Sequence, residues 1–278
     1  MAALVLALAS SLAYGCADFF GGLCARNTRV LRTVIIAAPA SLVVELLLWP
    51  VLGATGSLPA FGWGAASGVA SAAAFALLYR TLALGPMSVL SPVTALISAV
   101  LPVGLGLAQG ERLTAYALVG IPLALVAVVL VSAAPGDGAA RPSRTALVLA
   151  VGAGTAIAAQ LICLDQAPTD SGLAPIIIGR AVSSAIVLAA AAVLRGQLGS
   201  ARPPAMLCAA AGALDSLANL AFLLAVRSGD LSVVAVITAL YPAATVLLAR
   251  TVLAERIHRN QIVGLATAGA AVSLLALN

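Results

Sequence analysis

Residues 114–133 read TAYALVGIPLALVAVVLVSA, twenty consecutive residues without a charge. A helix needs about 20 apolar residues to cross the hydrocarbon core of a bilayer. Every backbone polar group in lipid must be satisfied within its own segment, so this run favours a membrane-spanning helix. The run does not alternate between apolar and polar residues, as a strand of a membrane β-barrel would.

The composition of the whole chain points the same way. Of its 278 residues, 63% are hydrophobic and 8% are charged, whereas a soluble domain carries about 25% charged residues. Soluble enzymes, nucleic-acid-binding proteins and disordered chains are therefore excluded. The four cysteines form no CxxC pair and have no histidine beside them. We accordingly predict no catalytic residue, no metal site and no cofactor.

Apolar runs of similar length recur along the chain, separated by short polar or Gly/Pro breaks. They predict an all-α membrane protein with ten transmembrane helices. The ten predicted spans lie near residues 2–24, 31–52, 61–83, 88–109, 114–133, 145–165, 173–195, 205–226, 231–252 and 260–277.

The chain also contains an internal repeat. At an offset of 144 residues, 85–130 match 229–274 at 15 of 46 positions without a gap. The matches include the pair Glu111/Glu255, and charged residues are rare in this chain. The coincidence therefore predicts two related halves.

A break in composition separates these halves. Residues 134–144, rich in Pro, Gly and Arg, are predicted to link a first five-helix repeat, residues 1–133, to a second, residues 145–278. Because five is an odd number, the second copy enters the membrane from the opposite side. Inverted repeats of this kind are typical of secondary transporters, whose substrate site lies near the midplane between the repeats.

Arginines are distributed unevenly between the two sides of the predicted membrane protein, and the chain has no lysine. Two of them, Arg112 and Arg227, lie at even-numbered loops. Eleven lie in or beside odd-numbered loops: Arg26, Arg29, Arg32, Arg80, Arg141, Arg144, Arg195, Arg202, Arg250, Arg256 and Arg259. The positive-inside rule therefore predicts a multi-pass protein of the plasma (inner) membrane with both termini outside.

Ionisable side chains within predicted spans are candidates for a transport pathway, because each costs about 2.5–3.5 kcal/mol to insert. Asp18 lies in the first span, four residues after Tyr14 and on the same helical face. The alternative interpretation of Asp18 is a carboxylate at a helix end that pairs with Arg26. Glu45, four residues before Trp49, is expected near the membrane interface in a structural role.

Two further groups lie in the second half. Asp215 and Asn219 are spaced i, i+4 near the middle of the eighth span, and Arg180 lies in the seventh. Arg180 is predicted either to bind a carboxylate of the solute or to hold Asp215. The alternative is a clamp between helices that never contacts solute. Thr238 and Tyr241, at i, i+3, are predicted to share one face of the ninth span.

Together these residues and other polar positions within the spans predict one amphipathic cavity. The Glu111-Arg112 and Glu255-Arg256 pairs are predicted instead to fix turns and to cap the helix that follows each turn. The candidate pathway residues are Tyr14, Asp18, Tyr79, Thr94, Gln160, Arg180, Asp215, Asn219, Thr238 and Tyr241.

The whole chain resembles the EamA-type ten-helix members of the drug/metabolite transporter superfamily. Tyr14-Gly15 is similar to an aromatic-glycine pair of that family, and Arg180 to an arginine early in the second helix of a half. Residues 240–257, LYPAATVLLARTVLAERI, are similar to the family's proline followed by Glu-Arg. The first half departs from this pattern, because Ser98 takes the place of the proline.

A shorter resemblance covers the first span. Residues 17–21, ADFFG, followed by Arg26, are similar to the first helix of small multidrug resistance proteins. In that family an acidic residue of this helix binds protons and substrate competitively. Asp18 takes its place here with a side chain one methylene shorter than the usual glutamate.

These resemblances imply a secondary active transporter and no enzymatic activity. The expected protein is an exporter or exchanger of small organic solutes such as amino acids, metabolites or drugs. It works by alternating access, with proton coupling through Asp18. We expect a monomer whose partners are a small-molecule substrate and the lipid bilayer, with no nucleic acid. The alternative is a non-transporting scaffold or a lipid-translocating subunit.

Overall fold

A computed structural model describes residues 1–84, 87–132, 143–194, 204–253 and 258–277 of the chain. Within these ranges, the side chains of residues 25–27, 79, 82–84, 87–89, 91–92, 249–250 and 253 are not described. The predicted linker, 134–144, falls almost entirely outside the described residues, and so do Glu255 and Arg256.

The described chain consists of α-helices joined by short turns. One turn contains a single 3-10 turn, Thr169–Ser171. The helices are α1 (Ala2–Asn27), α2 (Val30–Leu52), α3 (Leu58–Leu84), α4 (Met87–Ala108), α5 (Ala115–Ser132), α6 (Arg144–Asp165), α7 (Ala174–Val193), α8 (Ala205–Val226), α9 (Leu231–Thr238), α10 (Tyr241–Leu253) and α11 (Arg259–Leu275).

The helices agree with the predicted class of an all-α, multi-pass membrane protein. Among the described residues, eight segments are long and apolar enough to cross a membrane, and α9 together with the start of α10 counts as one of them. A shorter apolar segment, Val93–Ala108, lies in α4, and α11 has 17 residues. With these two helices, the arrangement is consistent with ten spans.

The ninth predicted span differs from the prediction because it is not one continuous helix. It breaks at Ala239 and Leu240, between α9 and α10. Pro242 has no N–H to donate to the carbonyl of Thr238, and the Leu240 N–H turns back to the Ile237 carbonyl at 3.1 Å. The break lies between Thr238 and Tyr241, which the sequence analysis placed on one face of a single helix.

The most extensive helix contacts join the first half of the chain to the second. α1 packs on α8, α9 and α10, and α6 packs correspondingly on α3 and α4. α2 packs on α7 and α8, α3 also packs on α7, and α5 packs on α11. Neither half therefore forms a bundle by itself.

Glycines allow several of these helix pairs to approach closely. A Cβ added at Gly68 of α3 would collide with the backbone of Gly179 in α7. A Cβ added at Gly212 of α8 would likewise collide with the backbone of Ala37 in α2. Contacts between backbones are a usual means of association in lipid, where apolar side chains gain little by leaving the bilayer.

One face of the bundle carries the start of α1, the end of α11 and the turns after α2, α4, α6 and α8; we call it the terminal face. Here the turns of the two halves bond to each other. The Leu173 N–H donates to the Gly53 carbonyl at 2.9 Å, and the Thr55 N–H donates to the Ser171 carbonyl at 3.0 Å. These bonds join the halves across the terminal face.

Arg227 strengthens the same turns. Its guanidinium donates to the Pro168 carbonyl at 3.2 Å and to the Ser171 hydroxyl at 3.3 Å. Burial lowers the pKa of Arg227, and the nearby Asp170 opposes this shift. Arg227 therefore ties the end of α8 to the turn between α6 and α7.

Glu111 acts on the terminal face in a way that the sequence did not predict. It was expected to cap the helix after its own turn, α5. Instead its carboxylate accepts hydrogen bonds from the N–H groups of Leu231 at 2.7 Å and Ser232 at 3.1 Å, in the first turn of α9. A carboxylate at a helix N-terminus is stabilised by otherwise unpaired N–H groups and by the helix dipole. Glu111 thus connects the two halves of the chain.

The buried core is less continuous toward the opposite face of the bundle. The main apolar cluster fills the terminal face and the middle, and includes Phe222 and Ile237. Near the opposite face, α2 and α7 enclose a small cluster around Val187, while α4 and α6 enclose a separate one around Leu90. Among the described residues, these two clusters are separate from the main one.

The contact of Glu111 with α9 predicts a loss of stability on substitution. Glu111→Gln keeps the shape of the side chain but removes its charge and one acceptor. We expect the free energy of unfolding to fall by about 0.5–2 kcal/mol, as for the loss of a helix cap. Unfolding of the purified protein in detergent measures this, with Arg112→Gln at the exposed neighbouring residue as the control. Equal stability of both variants would contradict the assigned role.

Candidate functional site

A buried ion pair joins α7 to α8 inside the bundle. Nη2 of Arg180 lies 2.7 Å from Oδ2 of Asp215, and the two side chains are 5% and 17% exposed. The same nitrogen lies 3.4 Å from the Asp215 carbonyl. Two charges in a membrane interior require this kind of mutual compensation. The pairing matches the second role offered for Arg180 by the sequence, that of holding Asp215.

Two amides extend the ion pair to α6. Nδ2 of Asn219 donates to the Asp215 carbonyl at 2.8 Å, and Nε2 of Gln160 donates to Oδ1 of Asn219 at 2.6 Å. The resulting network, Arg180–Asp215–Asn219–Gln160, crosses three helices of the second half. We call it the polar network below.

The polar network borders a small cavity against α3. The cavity has a volume of about 10 Å³, and its lining includes Ser67, Ser71 and Arg180. The Ser71 hydroxyl is buried and has no hydrogen-bond partner among the described residues. A volume of about 10–15 Å³ is the least that accommodates one water molecule. The cavity is therefore suited to a single water and not to an organic solute.

Tyr14, Asp18 and Tyr241 form a second group, where α1 meets α10. The rings of Tyr14 and Tyr241 are 6.5 Å apart. Asp18 lies close enough to Asp215 and to both tyrosines for electrostatic interaction, and Asp215 and Tyr241 belong to the second half. Asp18 is nevertheless exposed. Asp18 therefore combines accessible surface with a position close to side chains of the second half.

α1 and α10 pack closely beside this group. A Cβ added at Gly15 would approach the Tyr241 carbonyl and the Ala244 side chain. The Thr245 hydroxyl donates to the Gly15 carbonyl at 3.1 Å. α1 and α10 are thus in direct backbone contact next to Asp18, at the residue after Tyr14.

The remaining candidate residues contribute differently. The Thr94 hydroxyl donates to the carbonyls of Leu90 at 3.1 Å and Ala150 at 3.3 Å, so it stabilises the packing of α4 on α6. Thr238 is buried at the break after α9, and its hydroxyl has no partner among the described residues. The side chain of Tyr79 lies outside the described residues.

Glu45 was expected near the membrane interface in a structural role. It is fully buried between helices, whereas Trp49 one turn later is exposed. Ser216 donates to Oε1 of Glu45 at 2.6 Å and lies 2.9 Å from the Ser41 carbonyl. The one signal available in the sequence was an acidic residue within a predicted span, a feature that Glu45 shares with Asp18.

Comparison with known proteins supports the class of the protein. Residues 144–277 match the model of the EamA-like transporter family. The second half of the chain is thus an EamA-like unit, and the resemblance to the drug/metabolite transporter superfamily is confirmed there. EamA-like proteins are transporters, which agrees with the prediction that the chain is not an enzyme.

Solved structures extend the likeness to the fold of the whole chain. One structure, described as "Crystal structure of protein", is similar with a TM-score of 0.75 over 97% of this chain and 96% of the other, at 13% sequence identity. At that identity the likeness concerns the fold alone. The curated proteins contain no match to the sequence.

The ion pair yields a prediction for stability. Arg180→Gln leaves a buried carboxylate without its cation, and Asp215→Asn leaves a buried cation without its carboxylate. Each change should lower the free energy of unfolding by about 2 kcal/mol or more.

The double variant, Arg180→Gln with Asp215→Asn, removes both charges and should recover part of this loss. Unfolding of all three variants in detergent gives the coupling energy as a double-mutant cycle. Additive losses would mean that the two side chains do not depend on each other.

Proposed function

We propose that the protein is a secondary active transporter, an exporter or exchanger of small organic solutes such as amino acids, metabolites or drugs. The observation that carries this proposal is Asp18, an exposed carboxylate close enough to Asp215 for the two charges to interact. A scaffold would have no use for an accessible carboxylate in a membrane interior, where its charge is costly. A monomer with one small-molecule site accounts for these contacts.

Alternating access follows from the different packing of the two faces. The terminal face is held shut by the bonds between turns and by Glu111 on α9. We place the entry of solute to Asp18 at the opposite face, because Asp18 lies in the second half of α1, which begins at the terminal face. In the alternate state the contacts at the terminal face would break and the opposite face would close. Solute would bind near Asp18, Tyr14 and Tyr241 in both states.

Proton coupling is assigned to Asp18. A carboxylate that carries a charge through a membrane protein needs either a counter-charge or a proton. Arg180, the buried cation of the described site, is already paired with Asp215. Asp18 is therefore free to exchange a proton for a solute, and one ligand leaves when the other arrives.

The halves are further proposed to be inverted repeats, related by an approximate two-fold axis in the membrane plane. Glycines in the α5–α11 contact support this relation. A Cβ at Gly120 would meet Leu275, and a Cβ at Gly264 would meet Val131. The offset of 144 residues relates Gly120 to Gly264 and Val131 to Leu275. The repeat therefore exchanges the two contacts. The reciprocal packing of α1 on α8 and of α3 on α6 supports the same axis.

Both the orientation and the inversion can be tested by cysteine labelling. The arginine distribution predicts that the terminal face lies outside the cell. Single cysteines at Ala2, the first residue of α1, and at Thr145, in the first turn of α6, are introduced after the four native cysteines are replaced. An impermeant thiol reagent applied to intact cells should label position 2 and leave position 145 unmodified.

Permeabilised cells, in which both positions should react, provide the control for this labelling. The reverse pattern would place the termini inside. Labelling of both positions in intact cells would contradict the inversion.

The proposed function is tested with Asp18→Asn in proteoliposomes. With a pH gradient imposed, a panel of amino acids and organic cations is screened for uptake by the unmodified protein. An entrapped pH dye reports proton movement. Asp18→Asn should abolish accumulation of solute driven by the pH gradient while leaving the protein folded, because an amide cannot carry the proton.

Asp170→Asn, at an exposed carboxylate in a turn, is the matched control and should transport normally. Asp215→Asn should weaken solute binding more than coupling. Accumulation by Asp18→Asn at the unmodified rate would remove Asp18 from the mechanism. The absence of transport of any solute by the unmodified protein would favour the scaffold alternative.

A further inference from the structure

Glu45 is a buried carboxyl group that the proposed mechanism does not use. Its side chain is inaccessible, and Oε2 has no hydrogen-bond partner among the described residues. Oε1 receives one hydrogen bond, from Ser216. An ionised carboxylate has about four acceptor sites and normally fills several of them with donors. Glu45 is thus poorly solvated for an anion.

The charges around Glu45 do not balance if every group is ionised. α2 packs on α7, which carries Arg180, and on α8, where Glu45 bonds to Ser216, the residue after Asp215. α1, also in contact with α2, contributes Asp18 and Tyr14 to the neighbouring group. Arg180 supplies one positive charge, and Asp215 holds it at 2.7 Å. A second buried anion beside this pair would be uncompensated, and such groups become neutral by binding a proton.

We propose that Glu45 is a second proton-binding site, which holds its proton while Arg180 and Asp215 are paired and releases it when they separate. Its Ser216 hydrogen bond persists in either form, since Oε1 remains an acceptor. When Arg180 and Asp215 separate, Arg180 lacks a counter-charge. Glu45 provides that counter-charge by losing its proton.

The proposal identifies the kind of solute group that triggers the release, and this part rests on the proposed transport function. A cationic group that binds Asp215 displaces it from Arg180. The O–H bond of Glu45 breaks, the electron pair stays on the carboxylate, and the proton passes to solvent. The cationic group that binds Asp215 and the proton that leaves Glu45 each carry one positive charge, so this step leaves the charge around Arg180 and Asp215 unchanged.

The protonation of Glu45 can be measured without any solute. Infrared spectra of the purified full-length protein are recorded near neutral pH for the unmodified chain and for Glu45→Gln, which keeps the shape and the acceptor for Ser216. The difference spectrum should contain the C=O stretching band of one protonated carboxyl group, absent from Glu45→Gln. Asp170→Asn should leave this band unchanged. If the unmodified protein and Glu45→Gln share the same band intensity, Glu45 is ionised and the proposal is wrong.

The coupling to the ion pair needs a second comparison. Asp215→Asn removes the partner of Arg180, so Glu45 should ionise and its protonated band should fall by more than half. Arg180→Gln removes the cation instead and should raise the intensity of protonated carboxyl bands, because Asp215 then binds a proton too. An unchanged band in both variants would overturn the coupling. These outcomes do not depend on transport, so a failure of the transport assay would leave them distinguishable.

Discussion

The cost of a charge inside a membrane is the constraint on which this structure depends. Arg180 is nearly inaccessible and satisfies the constraint through Asp215 at 2.7 Å. Because the pair joins α7 to α8, and because Asn219 and Gln160 extend it to α6, the requirement for pairing also determines how three helices meet. The position of the ion pair thus fixes the interior of the second half, against which α2 and α3 of the first half pack.

The same constraint distinguishes the acidic groups. Asp215 is paired with the Arg180 cation, Glu45 has a single donor in the Ser216 hydroxyl, and Asp18 is exposed. Each solution has a different consequence: an ion pair stabilises the fold, a buried and poorly solvated acid takes up a proton, and an accessible acid can exchange ligands. Asp215, Glu45 and Asp18 therefore have separate proposed roles although all three carry a carboxyl group.

Close backbone contact and asymmetry between the faces complete the arrangement. Gly68 and Gly212 let α3 and α8 approach the opposite half without intervening side chains. At the terminal face, hydrogen bonds between turns add directional contacts that are not available between apolar helix surfaces in lipid. Contacts of this kind can break and reform with little loss of core packing. The face held by them is accordingly the one that we expect to move.

The sequence by itself determined the membrane class, the approximate helix positions and most of the polar residues in the interior. These follow from local rules, because a span must be apolar along its length and an ionisable residue within it is an exception visible in the sequence. The family likeness of the second half was also visible, in Arg180 and in residues 240–257. Helix content and polar exceptions need no knowledge of which helix lies beside which.

Only the tertiary structure decided which partners those polar residues have. Glu111 was expected to cap α5 but bonds to α9, because the approach of the two halves brings the start of α9 to its carboxylate. Glu45 is buried against Ser216, because α2 packs on α8. Glycine spacing carried no signal in a chain with 25 glycines, and only the packing selected Gly68 and Gly212 as points of contact. Each of these outcomes depends on contacts between segments far apart in the chain, and no local pattern of residues encodes them.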